Sequence, residues 1–553
     1  MLSRYYKSLF FAGILLVTGC SPSEPDTPSL AIGDSVTVAI MATSDLHGWI
    51  LPFDYSIDYE DERFGMAKVA TLVDSVRSRH NHTMLLDAGD WIQGNQFAEF
   101  FSTVAKDDPS YPLLDVMEAM KYDATVVGNH EFNFGVPYLN KRISQTSVPV
   151  LGANAYKSGT DTPHFEPYII KNVGGVQVGV VGLTTPGSAV WDRPRVTGII
   201  DFVDGVDAAA RFVQEVRDAG AEFVVLLMHS GIESRSSYDI EGVAIENFGR
   251  LAVESVPGVN LAISAHSHRL IDDLTITGPD GNEVPVIQPG FWGRYLGVVE
   301  FNLTRNEDSS ISVISSTTTA HPVAHAEASE SIVALVADAH ERVREHVNLP
   351  VVRTPDRWDA RRARLEDSPV VDLIHKVQLH VTGAQLSAAA AFSINAQFGP
   401  GNITRRDLAQ IYPFENMLYK MEITGAQLRD FLEHTSQYFT GVQSGQPAIN
   451  FDWPGFNYDT IAGADYEIHI RKPVGERIQN LTIDGNPVQP DQIYTIAVNS
   501  YRAEGGGGFS MLFNAETVWE SDKSVRAYME EYLSERDNIS HADVFVQNWS
   551  LVY

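Results

Sequence analysis

Along the first half of the chain run Asp45-Leu46-His47, Gly89-Asp90, Gly128-Asn129-His130-Glu131, a lone His229 and His266-Ser267-His268. Carboxylate, amide and imidazole groups of these types are good ligands for divalent transition metals such as Zn, Mn or Co. One such group would mean little, but five in order point to a centre of two divalent ions. Two ions about 3.5–4 Å apart need a bridging ligand and separate ligands on each side. A carboxylate suits the bridge, because its two oxygens can serve one ion each. Asp90 is the expected bridge, with Gly89 before it allowing a tight backbone turn.

Each group follows a short apolar run. Val36–Thr43 leads into Asp45, Met84–Leu86 into Asp87-Ala88-Gly89-Asp90, and Ala124–Val127 into Gly128. Phe223–Met228 leads into His229, and Leu261–Ser264 into the His266 pair. Such runs read as strands covered on both faces. Open α/β sheets bind ligands at the carboxyl ends of their strands. Asp45 and His47 lie two apart, as do His266 and His268, so each pair can face one side of an extended segment. Helix-like stretches at Met66–Val76 and Val206–Ala219 alternate with strands such as Val176–Thr184, which makes the expected class α/β. His80, His82, His321, His325 and His340 fit no such pattern and read as surface residues.

At 553 residues the chain is too long for one ordinary core. Its 44% hydrophobic and 20% charged content is that of a soluble globular protein. A net charge of -31 argues against binding nucleic acid polymers or an anionic membrane surface. Small anionic substrates stay open to it, because metal ions reverse the local field. Cys20 is the only cysteine, so no disulfide forms within the chain. Arg4 and Lys7, then apolar Leu9–Val17, then Val17-Thr18-Gly19-Cys20, resemble a bacterial lipobox. Residues 1–19 are therefore expected to be a lipoprotein signal peptide, with Cys20 the lipid anchor. Ser21 at the next position resembles the outer-membrane type, in the periplasm or on the cell surface of a Gram-negative bacterium. Residues 20–34 form a Pro-, Ser- and acid-rich flexible tether. The catalytic domain is expected over 35–325, ending in a strand at Ser312–Thr319. A linker helix spans 326–350, with apolar residues at Ile332, Val336, Ala339, Val343 and Val347. A second domain fills 351–553, with helices at Arg361–Val381 and Ala426–Gln437. Its strands are expected at Met417–Ile423, Asp465–Ile470 and Tyr494–Asn499. Thr-Gly-Ala-Gln-Leu occurs at Thr382–Leu386 and Thr424–Leu428, read as two turns feeding helices.

The ordered motifs resemble those of the calcineurin-like metallophosphoesterases. Tyr412-Pro413-Phe414-Glu415-Asn416 and Asn499–Phe509, with its glycine run Gly505–Gly508, resemble the C-terminal domain of the 5′-nucleotidase family. Within it, GNHEFNFG at Gly128–Gly135, LSAAAAF at Leu386–Phe392 and Phe456–Pro473 look most like the bifunctional 2′,3′-cyclic-nucleotide 2′-phosphodiesterase/3′-nucleotidase branch. Asn133 stands where 5′-nucleotidases usually carry an Asp beside the catalytic His. Leu386–Phe392 replaces a Gly-rich segment that ends in a phosphate-binding Arg.

The resemblance implies a four-layer α/β/β/α sandwich, a linker helix and a smaller α+β substrate-binding domain. It implies that Asp45, His47, Asp90 and His268 hold one ion, and Asp90, Asn129, His229 and His266 the other. It implies His130 as the catalytic residue and Phe414 and Tyr501 as the pair that stacks the nucleobase. The expected reaction is attack of a metal-bound hydroxide on phosphorus. Cyclic 2′,3′-nucleotides would go to 3′-nucleotides and then to nucleoside and phosphate. His130, following Asn129 directly, is expected to face the phosphate and either stabilise the transition state or protonate the leaving alkoxide. Asn133 cannot support His130 by charge, so either another carboxylate orients it or its role is mainly hydrogen bonding. The alternatives are a 5′-nucleotidase or UDP-sugar hydrolase on the same scaffold, a non-catalytic nucleotide-binding lipoprotein, and a phosphoesterase for non-nucleotide substrates.

Overall fold

The computed structural model describes residues 29–553. The apolar leader, Cys20 and residues 21–28 of the tether lie outside the described residues. Among the described residues no helix is long and apolar enough to cross a membrane. Residues 30–34, at the end of the expected tether, already touch the fold. Leu30 N donates to Gly175 O at 3.0 Å and Gly33 N to Arg305 O at 2.8 Å.

Two six-stranded sheets form the catalytic half. In the first, the order is Ile311–Pro322, Tyr295–Arg305, Ser35–Thr43, Thr83–Asp87, Ala124–Val126, Val150–Leu151. The last four strands are parallel, and Tyr295–Arg305 joins Ser35–Thr43 antiparallel. In the second, the order is Leu270–Thr277, Glu283–Pro289, Leu261–Ile263, Phe223–His229, Val176–Thr184, Tyr168–Val173. Its inner four strands are again parallel and its outer two antiparallel.

The two-residue period of a strand explains the layering. Val38, Ile40 and Ala42 point between the sheets and meet Val178, Val180, Val225 and Leu227. Ala39 and Met41 point outward, into a core shared with Val69, Val73 and Val76 of helix Met66–Arg79. On the far face of the second sheet, Val181, Val224 and Leu226 pack on Ala209, Phe212 and Val213 of helix Gly205–Asp218. These layers make the expected α/β/β/α sandwich. Because the strands that precede the ligand loops are parallel within each sheet, they end together at one edge, where the loops carry the candidate ligands.

The expected linker helix is two helices, Glu330–Leu335 and Ala337–Val347, broken at Val336. Ile332, Val336, Ala339, Val343 and Val347 are all buried in the core on the outer face of the first sheet. His340, read as a surface residue, is half-buried and lies 2.8 Å from the Tyr55 hydroxyl through Nδ1.

The C-terminal domain is built on a five-stranded sheet of order Asp459–Ala462, Leu386–Ala390, Ile493–Asn499, Met417–Thr424, Glu516–Ser524. Helices Pro369–Thr382 and Val525–Ser534 cover one face, and Gly425–Thr435 the other. The helix expected at Arg361–Val381 begins only at Pro369. Ser368 caps it by accepting from Val370 N, and proline at the first position sets the start. The two Thr-Gly-Ala-Gln-Leu segments do opposite things. Thr424 starts a helix in a capping box with Gln427, as expected. Gly383, at φ 58°, ends a helix and feeds strand Leu386–Ala390. Arg526 joins the domains by pairing with both Glu99 and Glu415.

Candidate metal centre

The loops that leave the strand ends are unusual in their backbone. Asp45, His47, Asp90, His266 and His268 all have φ between 48° and 69°. This left-handed region disfavours residues other than glycine by roughly 1–2 kcal/mol each. Five of the seven expected ligands therefore sit in backbone conformations that the surrounding packing must enforce. Gly128 shows how close that packing is, since a Cβ there would lie 2.2 Å from Asp90 Oδ1.

The seven side chains converge. His229 Nε2 lies 3.1 Å from Asp90 Oδ2 and 3.1 Å from Asn129 Oδ1. His47 Nε2 is 3.1 Å from His268 Nε2 and 3.8 Å from Asp90 Oδ2. His268 Nε2 is 3.4 Å from Asp45 Oδ1. Two clusters result, Asp45-His47-His268 and Asp90-His229-His266, and a third group, His47-Asp90-His130, links them, with ligand atoms within 4.8 Å of one another in each. Asp45, His47, Asp90, Asn129 and His229 are buried, and His268 lies at the exposed mouth.

The chemistry of this donor set fits two divalent cations. His47 Nδ1 lies 2.7 Å from Gln93 O, and His229 Nδ1 2.7 Å from Ala88 O. A carbonyl only accepts, so both Nδ1 atoms carry hydrogen and both Nε2 atoms of the neutral rings turn lone pairs inward. Asp45 Oδ2 is buried with no hydrogen-bond partner. Burial disfavours charge on His229, but with no cation bound the Asp90 carboxylate outweighs it and pushes the imidazole up to about 10, so a metal that takes Nε2 would displace a proton there. Burial pulls His47 down to about 4.

Residues outside the expected ligand set complete the site. His266 Nε2 lies 2.9 Å from Glu246 Oε1, which leaves Nδ1 for the cluster. Glu131 accepts from the backbone N–H groups of Asp90, Trp91, Ile92 and Gly128 at 2.6–3.1 Å. One buried carboxylate thus ties two ligand loops together, and burial with the neighbouring Asp90 charge pushes it up to about 7. Trp191 stacks on His266 with centroids 5.5 Å apart, and Phe291 on His268 at 4.9 Å. Phe291 has the one readable signal, because it follows the end of another strand, Glu283–Pro289.

Glu246→Gln is expected to weaken metal affinity about 10- to 100-fold, since carboxylates that orient ligating histidines carry effects of that size. Competition with a chromophoric chelator measures this. Unchanged affinity would reduce Glu246 to a support for its own loop.

His130 stands at the rim of the cluster. Its backbone N–H donates to Asp90 Oδ1 at 2.8 Å, and its ring meets that of His47 edge-on at 5.1 Å. Its ligand nitrogen falls within 4.8 Å of the ligand atoms of His47 and Asp90. In the second domain Phe414 is half-buried, edge-on to Phe392 at 5.3 Å and Phe456 at 6.2 Å. Tyr501 is half-buried too, with the Arg502 guanidinium 5.2 Å from its ring centre. Burial pushes the Tyr501 phenol up to about 12, against Arg502 and reinforced by Glu246. Tyr501 of one domain thus lies within electrostatic reach of Glu246 of the other.

Comparison with known proteins agrees with the two-domain fold. Residues 38–270 match the calcineurin-like phosphoesterase family, and residues 348–514 the 5′-nucleotidase C-terminal domain. A Haemophilus influenzae protein named 2′,3′-cyclic-nucleotide 2′-phosphodiesterase/3′-nucleotidase is 29% identical over 95% of this chain and 89% of its own length. The trifunctional nucleotide phosphoesterase YfkN of Bacillus subtilis is 27% identical over 97% of this chain, which spans only 40% of that protein. A Staphylococcus aureus structure, solved as a candidate 5′-nucleotidase, superposes with a TM-score of 0.80 at 26% identity. It covers 94% of this chain and 100% of its own. Two matched domains in this order, around a cluster of donors suited to two metals, place the chain in the 5′-nucleotidase family of calcineurin-like metallophosphoesterases.

Proposed function

We propose that this protein hydrolyses nucleotide phosphoesters, taking 2′,3′-cyclic nucleotides to 3′-nucleotides and these to nucleoside and phosphate. One observation carries the reading: a converging two-cluster donor set with His130 beside it. The name of the Haemophilus relative supports the cyclic substrate.

Asp45, His47, Asp90 and His268 would hold one cation, and Asp90, Asn129, His229 and His266 the other. Divalent metals bound there lower the pKa of water towards 7 and neutralise phosphoryl oxygens as charge develops. The protein's own groups do the rest. His130 holds a proton at Nε2 and delivers it to the ribose oxygen that leaves phosphorus. Phe414 and Tyr501 flank the base, where stacking is worth about 1–3 kcal/mol with little preference among bases. Arg502 keeps the Tyr501 segment in place through Asp459 at 2.7 Å and Gly506 O at 3.1 Å. We also propose that the enzyme works outside the cytoplasm, anchored by lipid at Cys20. The apolar run Leu9–Val17 ahead of the only cysteine supports this.

The test is phosphate release by protein loaded with Mn²⁺, Co²⁺ or Zn²⁺ from 2′,3′-cyclic AMP, 3′-AMP and 5′-AMP. Alkaline phosphatase is added for the cyclic substrate. The first two substrates are expected to be preferred. Preference for 5′-AMP would make the protein a 5′-nucleotidase. Activity on none would favour a non-nucleotide phosphoester.

A further inference from the structure

His130 is steered through its Nδ1, which lies 2.7 Å from Asn133 Oδ1. On the other side of that amide, Asn133 Nδ2 lies 3.0 and 3.1 Å from the two carboxylate oxygens of Asp192. Asp192 is 1% exposed, and Arg195 Nη1 sits 3.1 Å from its Oδ1. It occupies the junction between the short helices Ser188–Trp191 and Arg193–Val196. The same segment stacks Trp191 on His266.

The polarity of this chain of bonds is determined at the Asp192 end. A carboxylate only accepts hydrogen bonds, so the amide must present its NH₂ to Asp192. Its carbonyl oxygen then faces His130 and also only accepts, so Nδ1 must carry hydrogen. Nε2 is left as the nitrogen free to give or take a proton. Without the carboxylate the two orientations of the Asn133 amide are close in energy. The reversed one would turn NH₂ toward Nδ1 and favour the opposite tautomer.

We infer that Asp192, acting through the Asn133 amide, is a positioning residue that sets the tautomer and orientation of His130. The inference rests on the proposed role of His130 as the group that moves the proton. It differs from a carboxylate bonded directly to the ring, because a neutral amide relays the polarity rather than the charge.

Exchange of the two side chains tests it. Asp192→Asn is expected to lower kcat about 10- to 100-fold, with KM and metal content near those of the unmodified enzyme. Asn133→Asp alone sets two carboxylates against each other about 3 Å apart, and is expected to lose as much. The double variant Asn133→Asp/Asp192→Asn keeps one carboxylate, one amide and an acceptor toward Nδ1. It is expected to recover kcat to within about tenfold of the unmodified enzyme. A double variant as slow as the worse single one would overturn the inference. So would Asp192→Asn lowering kcat by the same factor in a His130→Ala background, because residues that act through one another are not additive. An active His130→Ala enzyme would overturn the role of His130 itself, and the inference with it. One measurement needs no Asp192 variant. Imidazole ¹⁵N spectra of the zinc-loaded protein, assigned by loss of the His130 signals in His130→Ala, should show hydrogen on Nδ1 when the ring is neutral. Hydrogen on Nε2 of the neutral ring would overturn the inference.

Discussion

Asp90→Asn is expected to abolish turnover and to leave the purified protein with at most one of its two metals. Asp90 faces both clusters, with Oδ2 3.1 Å from His229 Nε2 and 3.8 Å from His47 Nε2. Its other oxygen already serves the protein by accepting from His130 N at 2.8 Å. Asparagine keeps an acceptor for that backbone bond, so the loop retains its shape. It removes the negative charge that the two cations would share. With one side lost, either activation of water or neutralisation of the phosphoryl group fails. The expected drop in kcat is on the order of 10³-fold or more. Metal content by mass spectrometry and phosphate release from 3′-AMP measure the two effects together. Two metals retained with kcat close to that of the unmodified enzyme would sink Asp90 as the bridge.

The α/β class and the strand ends that carry the site were legible in the sequence for one reason, whereas the four layers came only with the family resemblance. Each ligand group follows a strand covered on both faces, and such strands show up as unbroken apolar runs. Val38, Ile40 and Ala42 on one face and Ala39 and Met41 on the other are why no polar alternation marks Val38–Ala42. The second domain was harder to read. Arg361–Asp367 carries helix-forming residues, but the helix begins at Pro369, where a cap and a fixed φ outweigh weak propensities. A shared pentapeptide could not tell a helix start from a helix stop, because Thr424 finds Gln427 in a capping box while Gly383 takes a left-handed turn. Glu246 and Asp192 were invisible for a different reason. Each bonds across the fold to a residue far away in the chain, His266 or Asn133, and neither spacing nor periodicity records that. Asn133 was readable as a departure from the family pattern. The carboxylate behind it was not.

His130→Ala is expected to cut kcat by about 10²- to 10⁴-fold, or about 2.7–5.4 kcal/mol in the barrier, while both metals stay bound. Two placements separate this residue from the ligands. Its Nδ1 is taken by Asn133 Oδ1 at 2.7 Å, and its position in the cluster is secured by its backbone N–H on Asp90 rather than by its ring. Alanine leaves that backbone bond intact, so Asn129 and Asp90 keep their places. The ring nevertheless lies close enough to His47 and Asp90 to compete as a donor. The measurement must therefore read metal and rate on the same sample. Full metal with slow turnover assigns the proton-handling role. Loss of one metal would make His130 a ligand. The leaving group sharpens the distinction. If His130 protonates the departing oxygen, the loss should be large for 3′-AMP, whose ribose alkoxide is strongly basic. It should be much smaller for p-nitrophenyl phosphate, whose phenolate leaves without a proton. Equal losses on both would instead point to a hydrogen bond on the phosphoryl oxygens.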